Sequence, residues 1–318
     1  MSLTPISLEV GSLDLPRPLA FVLGGGGSLG ASQVGMLQAL AEYQLRPDLI
    51  VGTSVGSLNG AFLASDPLGA ATRLSHLWPE FERDTFLPGS AWQSVRTLRS
   101  SRTNLYSNDG LARFLDDHLS VVPNIEDLVV PFVAMATDVD TRQPVALTDG
   151  PLKSALLASA AIPGVFPAVE RDGRALYDGG IVANLPVRQA LSMGAKSLVL
   201  LDCNDRGKQR SQPKSVREVI EWTLTLMLGR QANADLPYIG HNVPVVYLPG
   251  PRRAASSPLD FDRTVELMRG AYEASREFLG SLEIDGPGVY QAVGDEQVPE
   301  DPLTDPEPEP GEGRGAGA

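Results

Sequence analysis

Two glycine-bearing turns constrain this chain more than any other feature. Gly24-Gly25-Gly26-Gly27-Ser28-Leu29-Gly30 and Gly52-Thr53-Ser54-Val55-Gly56 each close a short apolar run and open a helical pattern. Leu19–Leu23 reads as a buried parallel strand, and Val34, Leu37, Leu40 and Ala41 recur at helical spacing behind the first turn. Residues 48–51 read as a second strand and 55–63 as a second helix. Such a β-α-β-α unit places both turns at the C-terminal ends of neighbouring parallel strands, where open α/β sheets bind their ligands.

Ser54 stands in a G-x-S-x-G turn. Gly52 and Gly56 allow a sharp bend to pack closely while the hydroxyl is held out, and the following helix aims its N-terminal dipole at it. That pattern marks Ser54 as a nucleophile, against the plainer reading of a serine that caps a helix. Gly25 to Gly30 also satisfies G-x-G-x-x-G. A dinucleotide site would need an acid at the end of the second strand to hold the ribose, and that position carries Gly52-Thr53-Ser54. A phosphate-binding Walker loop is excluded because no Lys-Ser/Thr follows. The remaining use of consecutive glycine amides is an anion nest, which beside a nucleophile is an oxyanion hole built from Gly25, Gly26 and Gly27.

Further strands are expected at 129–136, Pro144–Leu147, 175–177, Ser197–Leu201 and 243–248, and helices at 152–160, 186–193, 216–228 and 261–279. Ser107-Asn108 reads as a helix cap, with Leu111, Phe114, Leu115 and His118 along one face. Between them, residues 66–106 interleave Trp78, Phe81, Phe86 and Trp92 with Arg73, Arg83, Arg96, Arg99 and Arg102. They read either as amphipathic helices with a solvated basic face or as a lid at a lipid interface. The proline-fixed loop at 161–167 either lines an acyl pocket or packs in the core. Arg206, Lys208, Arg210, Lys214 and Arg217 form a basic stretch, read as solvated, with headgroup binding as the rival.

The expected domains are an extension at 1–18, one acyl-hydrolase-sized unit at 19–285 with its motifs within 19–202, and a segment at 286–318. The last part, from 299, holds six acids against Arg314 and reads as a disordered acidic tail. A formal net charge of -13 excludes nucleic acid as a partner. The single Cys203 excludes an internal disulfide and reads as structural; with a start that lacks signal-peptide character, it points to a cytoplasmic protein. No run of about twenty apolar residues crosses a bilayer.

Two candidates exist for the base that activates Ser54. His241 follows both Ser54 and Asp178, the chain order of an α/β-hydrolase triad. Asp178 precedes Gly179-Gly180 at a sharp turn, where a water-poor setting would raise its pKa toward that of a useful base.

Taken together, Gly25 to Gly30, Gly52 to Gly56 and Asp178-Gly179-Gly180 resemble the three motifs of the patatin-like phospholipases. Residues 159–167 and Asn184-Leu185-Pro186-Val187 are also similar to signatures of that family. The resemblance implies a three-layer α/β/α fold with a mainly parallel central sheet, and a Ser-Asp dyad without histidine. By motif, Ser54 matches the nucleophile, Asp178 the base, and the loop glycines the oxyanion hole. Gly30, Gly52, Gly56, Gly179 and Gly180 support those positions. The chain departs from the family at Leu29, where many members carry Arg or Lys. The expected function is hydrolysis of a lipid carboxylic ester through an acyl-Ser54 intermediate, without cofactor or metal and with peripheral lipid contact as a further expectation. The rivals are a Ser54-Asp-His241 esterase and a catalytically silent lipid-binding protein of the same fold.

Overall fold

The computed structural model describes residues 13–81, 103–203, 212, 214, 239–251 and 260–292. Their strands are β1 (Leu19–Leu23), β2 (Leu49–Thr53), β3 (Phe132–Asp138), β4 (Pro144–Leu147), β5 (Val169–Arg171), β6 (Arg174–Asp178), β7 (Ser197–Leu201), β8 (Pro244–Tyr247) and β9 (Gly288–Tyr290). The helices are α1 (Ala31–Glu42), α2 (Val55–Ser65), α3 (Ala70–Leu77), α4 (Asp109–Leu119), α5 (Leu152–Ser159), α6 (Val187–Ser192) and α7 (Thr264–Gly280).

All nine strands join one sheet along the path β5-β6-β3-β2-β1-β7-β8-β9, with β4 attached to β3. The pairings from β3 through β2, β1, β7 and β8 to β9 are parallel, and those among β3, β4, β5 and β6 are antiparallel. The central strands are apolar on both faces because both faces are covered. Leu19, Phe21 and Leu23 of β1 point into a core with α1, α2, α3, α4, α5 and α7, while Ala20 and Val22 point into a second core with Val187 and Ala190 of α6. The fold is thus the expected α/β/α arrangement around a mainly parallel sheet.

β3 positions the site. A strand has two edges, and Ala134 pairs with both Gly52 of β2 and Leu147 of β4, so those strands lie on opposite edges. Ala136 pairs with Val145 of β4 and with Asp178 of β6, which puts β6 on the β2 edge. Alternation agrees: Pro131 accepts from Ile50 and Val139 donates to Ala175 on that edge, whereas Asp138 donates to Gln143 on the other. β2 runs parallel to β3 and ends opposite Met135, and β6 runs antiparallel and ends opposite Ala136. Their C-terminal ends therefore meet head to head, Ser54 against Asp178.

Several expectations shift. The strand placed at 129–136 starts only at Phe132, with Val129 exposed. The cap side chain of Asn108 makes no hydrogen bond to α4. β9 lies beyond residue 285, so the sheet continues into the segment expected to follow the domain. Trp78 and Phe81, weighed as part of amphipathic helices or of a lid, are buried at 2% and 9% exposure, as the amphipathic reading has it. Phe86, Trp92 and Arg83, Arg96, Arg99 and Arg102, the basic stretch except Lys214, the helix at 216–228 and the acidic tail lie outside the described residues. Among the described residues no helix is long and apolar enough to cross a membrane.

Candidate active site

Ser54 joins β2 to α2 at φ 54° and ψ -126°, a backbone conformation that an L-residue enters only under constraint. Three contacts impose it. The Ser54 N–H donates to Ser159 Oγ at 2.9 Å, the Thr53 hydroxyl donates to Ala183 O at 2.8 Å, and the Ser57 N–H closes on Ser54 O at 2.9 Å. The turn also packs without room for side chains: a Cβ on Gly56 would lie 2.3 Å from Leu23 O and one on Gly52 would lie 2.5 Å from Gly56 O. Ser54 thus stands at the N-terminus of α2, whose dipole favours negative charge there.

Asp178 is 5% exposed. Its backbone N–H donates to Ala161 O at 2.9 Å and its carbonyl accepts from Thr137 Oγ1 at 2.8 Å, while Oδ1 accepts from the Gly180 N–H at 2.7 Å. Burial pushes the carboxyl up to about 6, and hydrogen bonds from the Ser54 side chain and the Gly180 N–H pull the other way without cancelling it. Both side chains are thus buried, with the Asp178 carboxyl raised toward neutral pH.

The first glycine turn lies against Ser54: a Cβ on Gly25 would be 3.1 Å from Ser54 Cβ and 2.7 Å from Asn184 Oδ1. The Gly25 N–H is shared by Asn184 O at 3.3 Å and Asn184 Oδ1 at 3.2 Å. That amide, one of the three expected as oxyanion donors, is thus engaged within the protein. Gly27, at φ 60°, lines the same cavity as Ser54. Leu29 is 5% exposed and sits in the core, so the family position often held by Arg or Lys here serves packing. Cys203 is buried, its thiol pushed well up by burial and by Asp202, consistent with a structural residue.

From Ser54 opens a cavity with apolar walls. Its walls are Val55, Leu58, Asn59 and Phe62 of α2, Leu74, Trp78 and Phe81, Leu111 and Phe114 of α4, the loop residues Ala160, Ile162, Val165 and Phe166, and Phe261. The 161–167 loop therefore lines a cavity. Phe81 stands edge-on to Phe114 at 4.9 Å between ring centres and Trp78 edge-on to Phe81 at 5.1 Å, forming an aromatic wall.

The histidines are elsewhere. His76 ends α3, His118 ends α4 with its ring 4.7 Å from that of Phe114, and none of the three lines the cavity. His241 is exposed and precedes β8, which is parallel to β7 and through it to β1 and β2. It lies at the sheet edge opposite the one bearing Ser54, so the His241 triad weighed from the sequence is not assembled. Among the described residues no three His, Cys, Asp or Glu side chains gather as a metal site.

Sequence reasoning assigns no task to Asn184 or Ser159, although both lie in stretches it singles out. Each acts on a partner more than a hundred positions away, which local spacing does not encode.

A serine on a strained strand-to-helix turn, a buried carboxylate against it and a glycine turn beside it make up the candidate site. Residues 21–191, more than half of the chain, match the family profile described as Patatin-like phospholipase, and the chain belongs to that family. Over 191 residues it is 35% identical to Patatin-like phospholipase domain-containing protein 7 of Mus musculus, an alignment covering 59% of this chain and 14% of the mouse protein. It is 33% identical over 186 residues to Patatin-like phospholipase domain-containing protein 6 of Homo sapiens, covering 58% of this chain and 13% of the human one. The chain thus spans about one seventh of the length of these relatives. A superposition on VipD from Legionella pneumophila has a TM-score of 0.44 at 15% identity, over 84% of this chain and 67% of the other.

Proposed function

We propose that this chain is a lipid acyl hydrolase that uses Ser54 as nucleophile and Asp178 as general base. The supporting observation is the buried Asp178 carboxyl, raised to about 6 and set against Ser54, which itself lines an apolar cavity. A carboxylate with a pKa near 6 is ionised at pH 7 and far more basic than a solvated one.

The acyl chain of a lipid ester enters the cavity, where burial of methylenes supplies binding at roughly 0.8 kcal/mol each. Asp178 takes the Ser54 proton as Oγ attacks the ester carbonyl carbon, and the Gly26 and Gly27 N–H groups hold the oxyanion. Each well-placed amide contributes roughly 3–4 kcal/mol to the transition state. The C–O bond to the lipid alcohol breaks as Asp178 returns the proton to the leaving oxygen, and acyl-Ser54 remains. Water, deprotonated by Asp178, attacks the acyl-enzyme, and the fatty acid leaves with Ser54 restored. The substrate is met at a lipid surface, which makes peripheral membrane contact part of the same reading.

Single Ala variants of Ser54, Asp178 and His241 assayed on a p-nitrophenyl ester test this. The first two are expected to lose activity by about a thousandfold or more, and His241→Ala to retain it. Full activity in Asp178→Ala with loss in His241→Ala would overturn the dyad. Failure of a fluorophosphonate to label wild-type Ser54 would overturn hydrolysis altogether and leave a lipid-binding protein.

A further inference from the structure

A chain of buried side-chain amides runs behind the glycine turn, and the mechanism above does not use it. Gln33 of α1 is fully buried and Asn59 of α2 nearly so, at 0% and 1% exposure. Gln33 Nε2 donates to Gly24 O at 2.8 Å and to Leu201 O at 2.9 Å. Asn59 Nδ2 donates to Gly30 O at 3.0 Å and to Gln33 Oε1 at 2.8 Å. Asn59 Oδ1 accepts from Trp78 Nε1 at 3.0 Å, and Trp78 is part of the cavity wall. All four N–H hydrogens of the two amides have a use, so the network is satisfied throughout, the condition under which buried polar groups rigidify a structure.

Two of its acceptors are the carbonyls at the opposite ends of the glycine turn, Gly24 O and Gly30 O. In a peptide plane C=O and N–H point opposite ways. Holding Gly24 O on Gln33 therefore turns the Gly25 N–H toward Asn184, where it is found. Within the turn, Gly26 O accepts from Leu29 N–H at 3.2 Å and so directs the Gly27 N–H the other way. Anchoring both ends restricts the rotation of the peptide planes between them, those that carry the Gly26 and Gly27 amides. Glycines without side chains would otherwise leave that orientation weakly specified.

We propose that Gln33 and Asn59 are positioning residues for the oxyanion hole: they fix the two ends of the glycine turn and tie it, through Trp78, to the wall of the acyl cavity. The inference rests on the serine-hydrolase reading above and deepens it, because it assigns to α1 and α2 the task of aiming donors that carry no side chain of their own. A residue that acts this way changes kcat, since the oxyanion exists only in the transition state. It leaves KM and the ionisation of Asp178 alone.

The test uses the full chain carrying Gln33→Met, which keeps length and loses both donors. On p-nitrophenyl butyrate, kcat is expected to fall about 10- to 100-fold, the range for a misplaced catalytic group. The labelling rate of Ser54 by a fluorophosphonate should fall in parallel, because its phosphoryl oxygen occupies the same hole. KM should stay within about twofold and the midpoint of the pH profile should not move. An unchanged kcat in the folded variant, a change confined to KM, or a shifted pH midpoint would each overturn the proposal. Should Gln33→Met not fold, Gln33→Asn retains an amide but falls one methylene short of Gly24 O. A kcat equal to wild type there overturns it equally, and a loss of about threefold or more with constant KM supports it. Wild type that fails to react with the fluorophosphonate at all would instead sink the hydrolase reading.

Discussion

Replacing Asp178 by Asn separates what the carboxylate costs the fold from what it does for catalysis. The folded protein holds this carboxyl at about 6 against an ordinary value of 3.8, chiefly through burial. Between those two pH values the native state binds the proton that the unfolded chain has released, so stability falls as pH rises through this window. The gap, at about 1.4 kcal/mol per pH unit, corresponds to about 3 kcal/mol. Well below 3.8 the carboxyl is neutral in both states and contributes no penalty; well above 6 the folded protein carries the full cost of a buried anion. The carboxamide introduced by Asp178→Asn would be isosteric and neutral at every pH, and its oxygen would still accept from the Gly180 N–H. The variant is therefore expected to match wild type well below pH 3.8 and to exceed it by about 3 kcal/mol at about pH 7.5, while losing esterase activity. Urea unfolding of both proteins at a series of pH values measures the difference directly. A constant difference across the series, or a variant less stable at pH 7.5 than wild type, would refute the reasoning.

On the proposed mechanism the same carboxyl governs the pH dependence of catalysis. kcat/KM on a short-chain p-nitrophenyl ester should rise with pH to a plateau with its midpoint near 6, and a plateau already reached at pH 4.5 would contradict Asp178 as the base. Filling the cavity by Leu111→Trp should depress hydrolysis of a dodecanoyl ester at least tenfold more than that of a butanoyl ester, read as the ratio of the two kcat/KM values. Equal losses on both esters would mean that this cavity does not hold the acyl chain.

The parts of the fold that are legible in the sequence are those whose reasons are local. β1, β4 and β7 have the bounds read from their side-chain patterns, and the Gly52–Gly56 turn has the sharp geometry its glycines demand. β5 and β9 escape such a reading because three residues of mixed polarity carry no period. For Trp78 and Phe81 the sequence leaves an amphipathic helix and a lid both open; their burial includes packing of Phe81 on Phe114 from another element, which no window contains. At the site, Ser54 and Asp178 are found through their flanking glycines. Asn184, Ser159, Gln33 and Asn59 are not, because an amide or hydroxyl that holds a distant backbone group has no signature in its own neighbourhood. Nor does the sequence show that one of the three glycine amides it offers, that of Gly25, is held by Asn184.

The head-to-head meeting of β2 and β6 along β3 makes the site an address on a ladder. Ser54 and Asp178 are neighbours because Met135 and Ala136 are neighbours, and the long stretch of chain between the two residues does not enter into their separation. Loops in that stretch are free to lengthen, shorten or change chemistry as substrates change, provided the three-strand register survives. A slip of β6 by one position would do the opposite: it would carry the carboxylate about 3.4 Å along the sheet and turn it to the other face, leaving the composition of the site intact and its chemistry gone.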